Sequence, residues 1–184
     1  MTGPHNFQND TGLPDRSNTG RLLLSRPIAN DLDDFFAIFG DPKTNLFNPL
    51  GPIEDKTVAA ARLTQLIEHW YEHGFGTWTV RAGKGGEVLG FGGLTLRSYG
   101  GEQKLNLGYR FHFNSWGKGY ATELAIFSLQ YARFVLRKPS VWAVVRPGNR
   151  SSIRVLEKAG MIWAGHHDDV PGEAPSLLYR SLFL

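Results

Sequence analysis

Two hydrophobic periods alternate along the chain, and the switches between them lay out its elements. Residues 21–27 carry the triplet Leu22, Leu23 and Leu24 and stop at a proline, which predicts a short strand. Leu32, Phe35, Phe36 and Phe39 then fall at i, i+3, i+4 and i+7, one face of a helix capped by Asn30, with Asp31, Asp33 and Asp34 in its first turn and Gly40 at its end. Leu63, Leu66, Ile67 and Trp70 repeat the spacing in a second helix over about 55–73, stopped by Gly74. Residues 77–81 and 88–96 read as strands of a hairpin turned at Lys84-Gly85-Gly86. The clearest period of two sets Leu105, Leu107, Tyr109, Phe111 and Phe113 against Asn106, Gly108, Arg110 and His112, a strand with one face in the core. A third helix, over 121–137, is striped by Leu124, Ala125, Leu129, Ala132, Val135 and Leu136. The almost wholly apolar run 141–145 predicts a strand buried on both faces. A helix over 151–159 closed by Gly160, then strands over 161–166 and 177–184, complete the chain.

The order is strand, two helices, three strands, helix, strand, helix, two strands. Only strands joined through a helix are easily parallel neighbours, so the fold class is α/β (α+β), a mixed, mostly antiparallel sheet flanked by about four helices. The 184 residues suit one domain. Residues 1–20, rich in Asn, Asp, Thr, Gly and Pro without apolar periodicity, read as a flexible arm, and 21–184 as the domain.

Composition narrows the function classes. With 41% hydrophobic and 20% charged residues the chain should fold rather than remain disordered. It has no run of 18 apolar residues, and its first 20 residues lack the basic start and apolar stretch of a secretion signal, so a cytoplasmic protein without a membrane partner is expected. The absence of cysteine removes disulfides, a thiol nucleophile and cysteine-ligated metal. His69 and His73 stand four apart on a helix, but no third ligand accompanies them, and no metal is expected. The net charge of +3 is uneven: residues 104–158 hold ten Lys or Arg against Glu123 and Glu157, which is +8, and the remainder is −5. That stretch wants an anion, either a compact polyphosphate or, as the less favoured partner, nucleic acid.

Two segments carry the chemistry. Ser115-Trp116-Gly117-Lys118-Gly119-Tyr120-Ala121-Thr122-Glu123 follows a strand and opens a helix. Glycines there can turn backbone N–H groups toward one point at the positive end of the helix, a cradle for pyrophosphate, while a plain tight turn is the simpler alternative. It is neither a Walker loop nor the dinucleotide Gly-x-Gly-x-x-Gly, so ATP and NAD lose ground. About thirty residues on comes Asn149-Arg150-Ser151-Ser152, followed by Glu157-Lys158-Ala159-Gly160.

Together these segments resemble the GNAT acyl-CoA-dependent N-acetyltransferases, whose Gln/Arg-x-x-Gly-x-Gly/Ala motif often reads Trp-Gly-Lys-Gly-Tyr-Ala-Thr-Glu in the branch that acetylates protein N-termini such as ribosomal-protein alanine. This chain has that string at 116–123, and Arg21-Leu22-Leu23-Leu24, Arg26-Pro27 and Leu107-Gly108-Tyr109 look like the same branch. The resemblance implies a GNAT-like sheet with a splayed strand pair, an enzyme that uses acetyl-CoA as co-substrate, and an acceptor that is a peptide N-terminus or a small amine. It implies that backbone N–H groups over Trp116, Gly117, Lys118, Gly119, Tyr120, Ala121 and Thr122 hold the pyrophosphate, although packing is the simpler role for the Trp116 and Tyr120 side chains. Leu107 and Gly108 would lend strand hydrogen bonds to the pantetheine, Asn149 would hydrogen-bond it, and Ser152 would sit near the thioester sulfur as the proton donor. Two positions depart from the pattern. Leu156 stands where many relatives have a tyrosine acid, and Asn106 where the branch often has a glutamate base. Glu102, His112 or water could replace that base. The departures leave a CoA-binding module without catalysis as one rival, and the basic stretch leaves an RNA-associated protein as another. Monomer and homodimer both stay open.

Overall fold

The computed structural model describes residues 16–83 and 85–183. Its eight strands form one sheet: β1 (Arg16–Asn18), β2 (Leu22–Ser25), β3 (Thr77–Ala82), β4 (Val88–Tyr99), β5 (Glu102–Phe111), β6 (Ser140–Val145), β7 (Ile162–His167) and β8 (Ser176–Leu182). The order across the sheet is β1-β2-β3-β4-β5-β6-β8-β7, antiparallel at every junction except β5 with β6. The four α-helices among the described residues are α1 (Leu32–Phe39), α2 (Lys56–His73), α3 (Tyr120–Phe134) and α4 (Arg150–Lys158). The mixed, mostly antiparallel sheet with four helices is the fold class expected from the sequence.

Strand alternation sends the core to both faces. Phe35 and Ile38 of α1 and Ala59 and Leu63 of α2 pack on Val88 and Phe91 of β4. The larger core joins Leu124, Ala125, Phe127 and Ala132 of α3 to Leu22, Leu24, Val80, Leu94, Leu105, Leu107, Val141 and Ala143 of five strands. Trp78 sits at its centre, 2% exposed, with ring contacts to Trp70 at 4.3 Å and Tyr131 at 6.1 Å. Gly92 lets α3 approach the sheet, because a Cβ there would lie 2.6 Å from both Leu124 Cδ2 and Tyr109 Cβ.

Several local expectations are corrected. Arg16–Asn18, expected within the flexible arm, form the edge strand β1. Three polar residues carry no apolar alternation, and the pairing comes from β2 rather than from their own pattern. Residues 1–15 of that arm, Lys84 of the expected turn and Leu184 lie outside the described residues. The helix expected to be capped by Asn30 begins instead after a 3-10 turn, Ala29–Asp31. Asp31 is buried and binds Arg81 at 2.5 Å, the Thr79 hydroxyl at 2.7 Å and the Ile28 amide at 3.0 Å, so it anchors the turn to β3 rather than merely facing a helix end. Phe113, expected on the core face of β5, is exposed, because the strand ends at Phe111 and the His112 ring accepts from the Asn114 amide to start a 3-10 turn. The run expected to be buried on both faces is buried on one: Val141, Ala143 and Val145 face the core, while Trp142 and Val144 are half-buried.

The feature that positions the site is the junction of β5 and β6. They share one register pair, Asn106 with Trp142. Beyond it β5 continues along β4 as far as Phe111, and β6 continues along β8 as far as Val145, so the two parallel strands part. Truncation of Trp78 to Ala should lower unfolding stability by about 3–5 kcal/mol, the usual cost of removing a large aromatic from a closed core. Urea unfolding measures it, and a loss below about 1 kcal/mol would remove Trp78 from its central place.

Candidate active site

The chain leaves β5 through the 3-10 turn Phe113–Ser115 and enters α3 across a loop in which Gly117 and Gly119 have φ of 74° and 79°. These left-handed conformations are cheap only for glycine. Gly119 is also the N-cap of α3 and makes no side-chain cap, so the first amides of the helix remain open to a ligand at its positive end. Trp116 packs beside the loop, its indole N–H donating to the Phe111 carbonyl at 3.0 Å.

A latch from the far edge of the sheet fixes this loop. The Glu123 carboxylate accepts from the Thr19 hydroxyl at 2.6 Å, the Arg21 amide at 3.1 Å and the Arg21 Nε at 2.7 Å. The same guanidinium donates to the Lys118 carbonyl at 2.9 Å and lies 5.0 Å over the Tyr120 ring. Burial alone would raise the Glu123 pKa, but the hydrogen bonds from Thr19 and Arg21 and the Arg21 charge outweigh it and hold the carboxyl below its ordinary value. Glu123, in the first turn of α3, is thus the point where the β1–β2 edge grips the loop.

Behind the loop lies a cavity of about 370 Å³. It is lined by Trp116, Gly117, Gly119, Tyr120, Ala121 and Thr122 on one side, by Asn149, Ser151, Ser152, Arg154, Val155 and Lys158 on another, and by Tyr109, Arg110 and Phe111 where β5 has parted from β6. Asn149 is the N-cap of α4, its Oδ1 accepting from the Ser152 amide at 3.1 Å and the Ser151 hydroxyl at 2.9 Å. The Ser152 hydroxyl has no hydrogen-bond partner among the described residues, while the Ser152 carbonyl accepts from the Tyr109 hydroxyl at 3.4 Å. Burial pushes the Tyr109 phenol well above its usual range, so it remains a protonated donor.

Of the residues singled out in the sequence, Trp116, Gly117, Gly119, Tyr120, Ala121, Thr122, Asn149 and Ser152 meet on this one cavity. Lys118, Leu107 and Gly108 do not line it: Lys118 contributes its carbonyl to the latch, Leu107 is in the core, and Gly108 is exposed in β5. Leu156 is buried in the core. Asn106 is buried at the β5–β6 junction with its Oδ1 accepting from the Tyr99 hydroxyl at 2.5 Å. Glu102, ion-paired with Lys104, and His112, which caps the 3-10 turn, are both absent from the cavity wall, which among the described residues carries no carboxylate and no imidazole. The reading of the sequence missed Tyr109 and Arg110 as site residues, although both stand in its strongest alternation. It also missed the wall made by Lys43, Thr44, Phe47 and Asn48 in the α1–α2 connection, a stretch without hydrophobic period.

The latch has a pH signature. Because the folded pKa of Glu123 is depressed, its contribution to stability is present above the unfolded value of about 4.5 and is lost as pH falls through the lower folded value. The stability difference between the wild type and Glu123→Gln should therefore be largest near neutrality and shrink on acidification below that range. Thermal unfolding of the pair across pH measures it, and a constant difference would exclude the latch.

Comparison with known proteins matches residues 21–162 to the acetyltransferase (GNAT) domain. The uncharacterized protein YkkB of Bacillus subtilis (strain 168) is 32% identical over 132 residues, covering 69% of this chain and 73% of that protein. The uncharacterized N-acetyltransferase p20 of Bacillus licheniformis is 25% identical over 138 residues, covering 75% and 77%. Among solved structures, an acetyltransferase from Agrobacterium tumefaciens str. C58 superposes with a TM-score of 0.76 at 24% identity over 97% of this chain and 99% of that one. The microcin C7 self-immunity acetyltransferase MccE, solved with acetyl-CoA and AMP, has a TM-score of 0.72 at 13% identity over 92% and 97%. The glycine loop at the start of α3, the parted strands behind it and the matched sequence agree: the chain belongs to the acetyltransferase (GNAT) domain family and is an acyl-CoA-dependent acyltransferase.

Proposed function

We propose that the protein moves the acetyl group of acetyl-CoA to a primary amine, with a protein or peptide N-terminus as the acceptor. The observation that carries this reading is the single cavity joining the glycine loop to Asn149 and Ser152 through the gap between β5 and β6. The residues fit the co-substrate: two left-handed glycines leave space where a Cβ would stand, the open helix amides suit a pyrophosphate, and Arg154 and Lys158 add positive charge beside them. The N-terminal acceptor rests on the resemblance of the 116–123 string to the branch that acetylates protein N-termini.

Bound acetyl-CoA supplies an activated acetyl thioester. The chain's part is to orient the acyl group and the amine and to manage protons. Backbone N–H groups over 117–122 hold the pyrophosphate, the unpaired edge of β5 at Leu107 and Gly108 takes the pantetheine, and the Asn149 amide donates to it. As the C–N bond forms and the C–S bond breaks, the Ser152 hydroxyl gives a proton to the departing sulfur and regains one from the water that takes up the amine's proton. Among the described residues the cavity wall offers no carboxylate or imidazole to the amine, so the amine enters neutral and its proton leaves to water. The same absence, with Leu156 in the core and Asn106 tied to Tyr99, favours as a second reading a protein that binds CoA without turnover.

Release of CoA from acetyl-CoA with free-N-terminus peptides, and mass spectrometry of the products, decides between them: an N-acetylated peptide is expected, and binding without release would favour the second reading. Gly119→Val should weaken acetyl-CoA binding at least about 100-fold, because a branched residue is strained at this φ and its Cβ would stand 3.4 Å from the Arg21 guanidinium that grips the loop. Unchanged affinity by calorimetry would remove the cradle. Ser152→Ala should keep acetyl-CoA affinity within about twofold and lower kcat by about 10- to 100-fold, at or below the low end for loss of an acid–base group. Wild-type turnover would remove Ser152 from proton transfer.

A further inference from the structure

Among the described residues four cations line the cavity, Lys43, Arg110, Arg154 and Lys158, and no acid does. Arg154 and Lys158 stand on α4 beside the glycine loop and are accounted for by the phosphates of the co-substrate. Lys43 and Arg110 are on the other wall. Along β5 the side chain of Arg110 points opposite to Tyr109 and Phe111, so it reaches the cavity from the side of α1 and the α1–α2 connection. There its guanidinium lies 4.8 Å over the Phe39 ring and donates to the Oδ1 of Asn45. Asn45 is itself buried and tied to the Phe39 and Asp41 carbonyls at 2.8 and 2.9 Å, so this partner is fixed in place.

Both partners of Arg110 are neutral, and no carboxylate among the described residues pairs with it or with Lys43. A half-buried guanidinium met only by an amide oxygen and a ring face keeps part of its desolvation cost uncompensated. Burial, with the charge of Arg62 nearby, draws its pKa down to about 10, which still leaves it cationic at neutral pH. Lys43, on the exposed connection, sits 4.7 Å over the Phe113 ring without an ion pair.

From this we infer that the acceptor is an amine that itself carries an oxyanion, a carboxylate or a phosphate, which Arg110 and Lys43 receive while the amine faces the gap between β5 and β6. The inference rests on the acetyltransfer reading and narrows its acceptor. A planar, fixed guanidinium suits either oxyanion in two-point contact, and the mobile ammonium of Lys43 adds charge at the rim. Polycationic acceptors such as polyamines and aminoglycosides would meet like charge on every side of the cavity and are disfavoured. Among peptides, the matching acceptor begins with an acidic or phosphorylated residue.

The test uses matched acceptors with the full chain: peptides beginning with glutamate or glutamine, peptides beginning with phosphoserine or serine, and spermidine as the polycation. The expected result is a kcat/KM at least about tenfold higher for the oxyanion member of one pair, the pair naming the source, and spermidine the poorest substrate. Arg110→Gln should bring that ratio close to one while acetyl-CoA affinity stays within about twofold, and Arg110→Lys should retain part of it. Because Arg110 also steadies Asn45, Lys43→Gln provides an exposed second variant, expected to lower the ratio severalfold. Calorimetric binding of the same peptides to the CoA-saturated protein reads the site without turnover. Preferential oxyanion binding lost in Arg110→Gln would uphold the inference even if no CoA is released and the acetyltransfer reading fails. Turnover with no oxyanion preference, a preference for spermidine, a ratio unchanged in Arg110→Gln, or neither turnover nor preferential binding would overturn it.

Discussion

Two parallel strands that hold each other at one residue pair are the constraint on which the rest of the molecule depends. Strand backbones carry a donor and an acceptor at each residue, and a buried edge that lacks a neighbour must find another partner. Past Asn106 and Trp142, β5 and β6 keep their outer partners β4 and β8 and lose each other. The opening is therefore an interruption in the middle of an eight-stranded sheet rather than a groove on its surface. The cavity is lined from both faces of the sheet, by Lys43 and Arg110 on one and by Tyr109 and Tyr120 on the other.

The surrounding elements keep that opening from closing. α3 is drawn close to β4 over Gly92 and carries the glycine loop on its N-terminus, and Tyr109 spans the gap to the α4 backbone. The loop is held by a chain segment about a hundred residues away in sequence, through Thr19, Arg21 and Glu123. A mobile glycine loop would give up entropy each time it gathered around phosphate, whereas one already gripped at Lys118, Tyr120 and Glu123 has given it up on folding. Charge follows the same division. The latch and the Asp31 anchor place acids where they face arginines, and the cavity wall is left cationic throughout.

Much of this was legible in the sequence because it is written in local periods. The helices α1 to α4 and strands β2 to β8 follow from spacing, and the two chemical segments follow from the glycines of the first and from the resemblance of both to the acetyltransferase motifs. What was not legible is set by contacts distant along the chain. β1 is polar and exists because β2 offers an edge. Asp31 reads as an ordinary first-turn acid until Arg81 and Thr79 close around it. Arg110 alternates on the polar side of β5 as a solvated residue would, and only the fold of the α1–α2 connection buries it on Phe39 and Asn45. Lys43 and Phe47 belong to a stretch with no period, so nothing nearby in sequence says what they face.

Asn149 shows how one side chain can be held to two standards at once. As the cap of α4 it needs only an acceptor, and its Oδ1 serves the Ser152 amide. An aspartate would satisfy the helix equally well, yet it would present a negative charge instead of a donor to a chamber built for anions. On the acetyl-CoA reading the amide rather than its isosteric acid suits the ligand, while the helix is served by either. In such a position a substitution that is conservative by shape and silent in folding can still repel the ligand.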